Sequence, residues 1–113
     1  MGTPGAGIDA SARAYDEIVE LLGERDPDVH AGRMFGMPTL MRGRRAFGGL
    51  THGDMVFKLT GPRHAEALAL EGAHLFDPGD QGRPMKQWVV VPAAHRKTWA
   101  AFAQAALGDL RRA

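Results

Sequence analysis

From residue 8 onward the apolar side chains recur at helical spacing. Ile8, Ala12, Tyr15, Ile18, Val19 and Leu22 fall on one face and acidic residues on the other. Asp9 stands where an N-cap is wanted, and Gly23 with the turn Asp26-Pro27-Asp28 marks a stop. The spacing predicts a helix over 9–23. The residues ahead of it, Met1-Gly2-Thr3-Pro4-Gly5-Ala6-Gly7, are dominated by Gly and Pro. Residues 1–8 are therefore expected to form a disordered tail, leaving one domain over 9–113.

Between residues 29 and 60 the period changes. Short apolar stretches, Met34-Phe35-Gly36-Met37 with Thr39-Leu40-Met41, then Ala46-Phe47-Gly48-Gly49-Leu50, then Met55-Val56-Phe57-Lys58-Leu59, are separated by Arg42-Gly43-Arg44-Arg45 and Thr51-His52-Gly53-Asp54. Both separators have hairpin length and contain Gly, so this region reads as a three-stranded antiparallel meander. Gly48-Gly49 inside a strand predicts a bulge or the close approach of another backbone.

Gly61-Pro62 ends the meander and starts a short helix, about 62–71, closed by Gly72. Ala73 to Phe76 is a short strand, Asp77 to Gly82 a polar loop of turn formers, and Met85 to Val91 a strand with Trp88 and three consecutive valines. After Pro92 a helix is predicted over 93–110, with Trp99, Phe102, Ala103, Ala106, Leu107 and Leu110 on one face. The order is α-β-β-β-α-β-β-α. The expected class is α+β in two layers: an antiparallel sheet with its helices mainly on one face.

A chain of 113 residues suits a single domain. It has no Cys, which removes disulfides, zinc-thiolate sites and cysteine nucleophiles. No signal peptide is visible and no apolar run reaches the roughly 18 residues of a membrane helix, so a cytoplasmic protein is expected. The net charge of +1 conceals an asymmetry. Residues 1–30 carry two arginines against seven acids, a net of −5, whereas the remainder carries twelve Lys and Arg against six acids, a net of +6.

Arg33-Met34-Phe35-Gly36, Phe47-Gly48-Gly49, Met55-Val56-Phe57-Lys58-Leu59 and Gly82-Arg83-Pro84-Met85-Lys86-Gln87-Trp88 are the residues by which the chain resembles the TfoX N-terminal-domain family, whose founding members are bacterial competence regulators. The likeness covers nearly everything beyond residue 8. It implies a two-layer α/β fold of the secretion-chaperone-like type, and it brings no catalytic residues.

The candidate chemistry is sparse. The five histidines, His30, His52, His64, His74 and His95, form no i,i+4 pair and no metal-ligand spacing, and His52 with Asp54 reads as a surface turn. Ser11 is the one serine and sits on a helix. The Gly-rich stretches lack the Gly-Lys-Ser/Thr of a phosphate loop, and Asp77 to Asp80 lacks calcium-ligand spacing. No catalytic residue, cofactor or metal is assigned.

Strand alternation supplies the remaining signal. If Arg33, Lys58, Lys86 and Trp88 share the helix-free face, cations lie there among aromatics, and Arg33, Phe35, Lys58, Arg83, Lys86 and Trp88 become the candidate binding residues. The favoured expectation is a non-enzymatic interaction or regulatory domain acting through an open sheet face, with a homodimer as the partner state. The alternative is a small-molecule or anion-binding protein with a pocket near Arg33, Lys58 and Lys86. Nucleic acid ranks below both, because the overall charge is near neutral and the first helix is acidic.

Overall fold

A computed structural model of the chain describes residues 6–79 and 81–112. Helix α1 (Ala6–Arg25) leads into four strands, β1 (Val29–Met34), β2 (Met37–Arg42), β3 (Arg45–Thr51) and β4 (Asp54–Lys58). Helix α2 (Gly61–Leu68), strands β5 (His74–Phe76) and β6 (Met85–Val91), a 3-10 helix over Ala93–Thr98 and helix α3 (Trp99–Arg112) complete it. The strands form one antiparallel sheet in the order β1-β2-β3-β4-β6-β5. The α+β class is as expected from the residue pattern. No helix among the described residues is long and apolar enough to cross a membrane.

Three boundaries differ from the sequence expectation. Helix α1 is already helical at Ala6, so Asp9 lies inside its first turn. The tail expected over 1–8 falls outside the described residues except for its last three positions. The predicted meander of three strands has four, because Met34-Phe35-Gly36-Met37 is a hairpin turn. The additional strand, β1, is an edge strand whose residues beyond Val29 are largely exposed, so it carries no alternating apolar signature. Finally, the helix predicted from residue 93 is divided, with the 3-10 turn ahead of α3. The backbone of His95 leaves helical geometry there, and its Nε2 bonds the Glu71 carbonyl at 2.8 Å.

The main core lies between the sheet and the helices. Tyr15, Ile18 and Leu22 of α1 and Trp99, Phe102, Ala106 and Leu110 of α3 pack onto Leu40, Phe47, Met55, Phe57, Val89 and Val91. Each buried Leu, Val or Phe contributes on the order of 1.5–3 kcal/mol. Polar bonds fix the register of helix on sheet: Ser11 Oγ donates to the Gly53 carbonyl at 2.6 Å, Tyr15 Oη to the Thr39 carbonyl at 2.6 Å, and Trp99 Nε1 to the Val91 carbonyl at 3.1 Å. Burial raises the Tyr15 phenol above its ordinary pKa.

The helix-free face is not an open surface. Met37, Val56, Phe76, Trp88 and Val90 are buried there as a second core, with Met34, Ala46 and Met85 packed around them. Among the described residues no helix side chain belongs to this cluster, whose members all lie on strands. Phe35, on the β1–β2 turn, meets Phe76 of β5 edge-on with ring centroids 6.2 Å apart, although β1 and β5 are the outermost strands of the six. Contact between opposite borders requires a strongly curled sheet. Two pairing irregularities accompany the curl, one opposite Leu40/Met41 that bulges β3 at Phe47, and one at Leu75/Phe76 against β6. Gly48 and Gly49 stand beside the first. A Cβ on Gly48 would come within 2.8 Å of the Val56 carbonyl oxygen, and one on Gly49 within 2.8 Å of the Pro38 carbonyl oxygen. The expected bulge and the expected backbone approach are both present.

One ion network clamps the ends of α1, β2 and α3. The Asp26 side chain, 4% exposed, accepts from Arg42 Nε at 2.7 Å and from the Asp28 amide at 3.1 Å, with Arg111 Nε at 3.4 Å. The Arg42 hydrogen bond leads the causes that hold the Asp26 carboxyl below its usual range. A depressed carboxylate pKa stabilises the fold above the unfolded-state value, and that contribution drains as the pH falls through the folded one.

Two outcomes follow for stability. Asp26→Asn should melt below wild type at pH 7, and the gap should narrow as the pH falls below about 4; a gap unchanged in thermal melts from pH 7 to pH 3 would contradict this account. Gly49→Ala should cost about 1–3 kcal/mol in urea unfolding, because backbone rather than a flexible side chain meets the new methyl.

Candidate functional site

Two hairpin turns have an unusual composition. Phe35 and Gly36 join β1 to β2 with φ of 55° and 73°, and His52 and Gly53 join β3 to β4 with φ of 50° and 85°. Two-residue hairpins of this hand take positive φ at both central positions and normally place Asn, Asp or Gly first. Here a phenylalanine and a histidine hold that place, and they are the two non-glycine residues at positive φ among the described ones. Each such residue costs on the order of 1 kcal/mol.

Both turns lie at the same end of the curled sheet and border the same cleft, about 320 Å³ in volume, on the helix-free face. Phe35, Met37, Phe76 and Val90 supply its apolar surface, and Thr51, His52, Asp54, His74 and Asp77 its polar one. Phe35 is 55% exposed, an uncommon condition for an aromatic already held by an edge contact. Among the described residues no Lys or Arg lines the cleft.

Most of the polar groups have a structural partner. Asp54 Oδ1 accepts from the Ala93 amide at 2.8 Å, which starts the 3-10 helix. Asp77 accepts from the Gly82 amide at 2.9 Å and closes the loop ahead of β6. His74 Nδ1 bonds the Gly72 carbonyl at 3.1 Å, leaving Nε2. Each of His30, His64 and His95 also bonds a backbone carbonyl. His52 has no such bond, and it lines the same cleft as Asp54. Among the described residues no three His, Asp or Glu side chains are grouped as metal ligands.

Of the six residues singled out by alternation, only Phe35 borders this cleft. Arg33 shares the helix-facing side of β1 with Val29 and Ala31, the latter opposite core residue Leu40, and its guanidinium donates to the Gly36 carbonyl at 3.1 Å. Lys58 lies directly across from Trp88 on the helix-free face. Trp88, 7% exposed, belongs to the second core rather than to a binding surface. Lys86 is exposed near the start of β6, and Arg83 is exposed in the loop before it. Arg33 and Lys58 stand at opposite ends of the sheet, and Lys58 borders a separate cavity of about 100 Å³ with Arg45, Thr60, Gln87 and Asp109. The cations expected to converge are thus divided.

The pattern alone does not single out the cleft's polar residues: His52 and Asp54 read as a surface turn, Asp77 belongs to a loop of turn formers, and His74 sits in a short strand. The signal that marks them is the bulky residue in Phe35-Gly36 and His52-Gly53, where a hairpin of this hand disfavours one. No family model, curated protein or solved structure matches the chain.

The strain at Phe35 is measurable by a paired substitution. Phe35→Gly and Phe35→Ala lose the same ring, but only glycine is at ease at φ 55°. The Gly variant should be the more stable by about 1 kcal/mol in denaturant unfolding, the reverse of the order expected in a strand interior. A more stable Ala variant would show that the turn relaxes and stores no strain.

Proposed function

We propose that the chain is a non-catalytic binding domain, a TfoX N-terminal-like module, whose recognition site is the cleft between the Phe35 and His52 turns. The observation that carries this reading is that both of the strained non-glycine residues border one cavity. A fold that holds two side chains in unfavourable turns at one spot is shaped by something other than stability. The cleft is near the lower end of the volumes that hold small organic ligands, with apolar walls and a few polar groups to orient a guest. The wider surface expected over the whole helix-free face is narrowed to this cleft, because the middle of that face is already buried.

Among the described residues the cleft's lining carries two carboxylates and two imidazoles and no Lys or Arg. That supports neutral or amine-bearing guests over anions. Phe35 is the anchor, supplying an exposed ring edge at the mouth.

A fragment screen by two-dimensional NMR tests the reading. Amide and imidazole signals of Phe35, His52, His74 and Val90 should shift together in a saturable manner with amine-bearing aromatic fragments. Phe35→Gly should weaken those fragments at least tenfold while the protein stays folded. Fragments that perturb only residues outside the cleft, or that bind the Phe35→Gly protein equally well, would overturn it.

A further inference from the structure

The end of the sheet away from the cleft concentrates the positive charge. Arg42 and Arg45 face each other across the β2–β3 hairpin with Arg44 between them in the turn. Lys58 ends β4, Arg63 lies in the first turn of α2, Lys86 opens β6, and Arg111 and Arg112 end α3. Tertiary contacts bring these termini together: Leu59 N donates to the Gln87 carbonyl at 2.8 Å, His64 Nε2 bonds the Lys86 carbonyl at 2.8 Å, and Thr60 N donates to Asp109 at 3.1 Å. Eight cations therefore share this rim with four acids, Asp26, Asp28, Glu66 and Asp109, and the exposed pair Glu24 and Arg25 at the end of α1 cancels, for a net of +4 against +1 for the whole chain.

The acids are spent. Asp26 and Asp28 hold Arg42, Asp26 is also approached by Arg111, Glu66 pairs with Arg63, and Asp109 pairs with Arg112. Arg44, Arg45, Lys58 and Lys86 have no ion-pair partner among the described residues, and all but the half-buried Lys58 are exposed. Two unscreened arginines adjacent in one hairpin repel each other and give nothing back to the fold. Much of the acidic charge that cancels this in the formula lies away from the rim: Asp16, Glu17 and Glu20 are exposed along α1.

We propose that this rim, formed by Arg44, Arg45, Lys58 and Lys86, is a contact surface for the phosphate backbone of a nucleic acid, engaged without reading its sequence. The four cations are spread over strands β2 to β6, a width of about 14 Å from the inter-strand spacing. That is a row of charges rather than a pocket, and it suits a polymer with one phosphate per roughly 3.4 Å of each strand. An acidic peptide is the less fitting partner, since the rim offers no apolar seat for a side chain beyond a cavity of about 100 Å³. No exposed aromatic stands there to stack on bases, because Trp88 is buried and Phe35 is at the other end. The near-neutral total charge that argued against nucleic acid is an average over two segregated ends.

Fluorescence anisotropy with labelled oligonucleotides of two unrelated sequences tests this. Binding should be sequence-independent, and the affinity should fall about a hundredfold between 50 and 200 mM salt, a log-log slope near −3 for four phosphate contacts. Arg44→Ala/Arg45→Ala/Lys86→Ala, all exposed positions whose loss leaves the fold intact by circular dichroism, should lower the slope to about −1. Arg96→Ala/Lys97→Ala, at the cleft end, should leave it unchanged. No binding at 50 mM salt, equal weakening by the two variants, or competition by polyglutamate as effective as by unlabelled oligonucleotide of equal charge would overturn the proposal, the last in favour of an acidic protein partner.

Discussion

The curl of the six-stranded sheet is the constraint on which the rest depends. A flat sheet of this order would bury one face under α1 and α3 and leave the other to water, with Val56, Trp88 and Val90 exposed in its middle. Instead the β1–β2 turn reaches β5, Phe35 meets Phe76, and the sheet's two borders close over a second core. The bulge at Phe47 and the irregular β5–β6 pairing let the strands bend. Glycine at 48 and 49 lets neighbouring backbones approach where a side chain would collide with a carbonyl. Once the sheet is curled, the helix face becomes its convex side and the cleft is what remains of the concave one.

The same geometry gives the molecule two chemically distinct ends. The turns of β1–β2 and β3–β4, the start of β5 and the 3-10 helix gather at one end, with aromatic rings, imidazoles and carboxylates. At the other end the β2–β3 hairpin, the end of β4, the start of β6 and the end of α3 gather basic side chains. The Asp26 cluster belongs to this second end and neutralises part of it, at the junction where α1, β2 and α3 must be held together. Its exposed basic partners are left over. The cleft and the basic rim are independent features, and a ligand at one does not presuppose a ligand at the other.

The residue pattern and the structure agree on the elements, apart from β1 and the break ahead of α3, and disagree on the surfaces. The helical spacing of Tyr15, Ile18 and Leu22 and of Trp99, Phe102 and Leu110 places those residues in the main core. Met85–Val91 is a strand with the predicted ends, and Gly48-Gly49 marks a bulge. Strand β1 escaped the pattern because an edge strand with a solvated outer face has no apolar alternation to display. Trp88 and Val90 read as an exposed amphipathic face because alternation assigns side chains to a face without saying what covers it.

The class, the antiparallel pairing, the helix-covered side and the turns at Gly43 and Gly53 are legible in the chain, since these follow from local periodicity and from the conformational limits of Gly and Pro. The burial of the second face is legible in the tertiary structure alone. Whether that face is open depends on the curvature of the sheet, and curvature is the sum of small departures in register over six strands, far apart in the chain. The grouping of Phe35 with His52, His74 and Asp77, the separation of Arg33 from Lys58, and the meeting of Arg45 with Lys58 and Asp109 are all consequences of that sum.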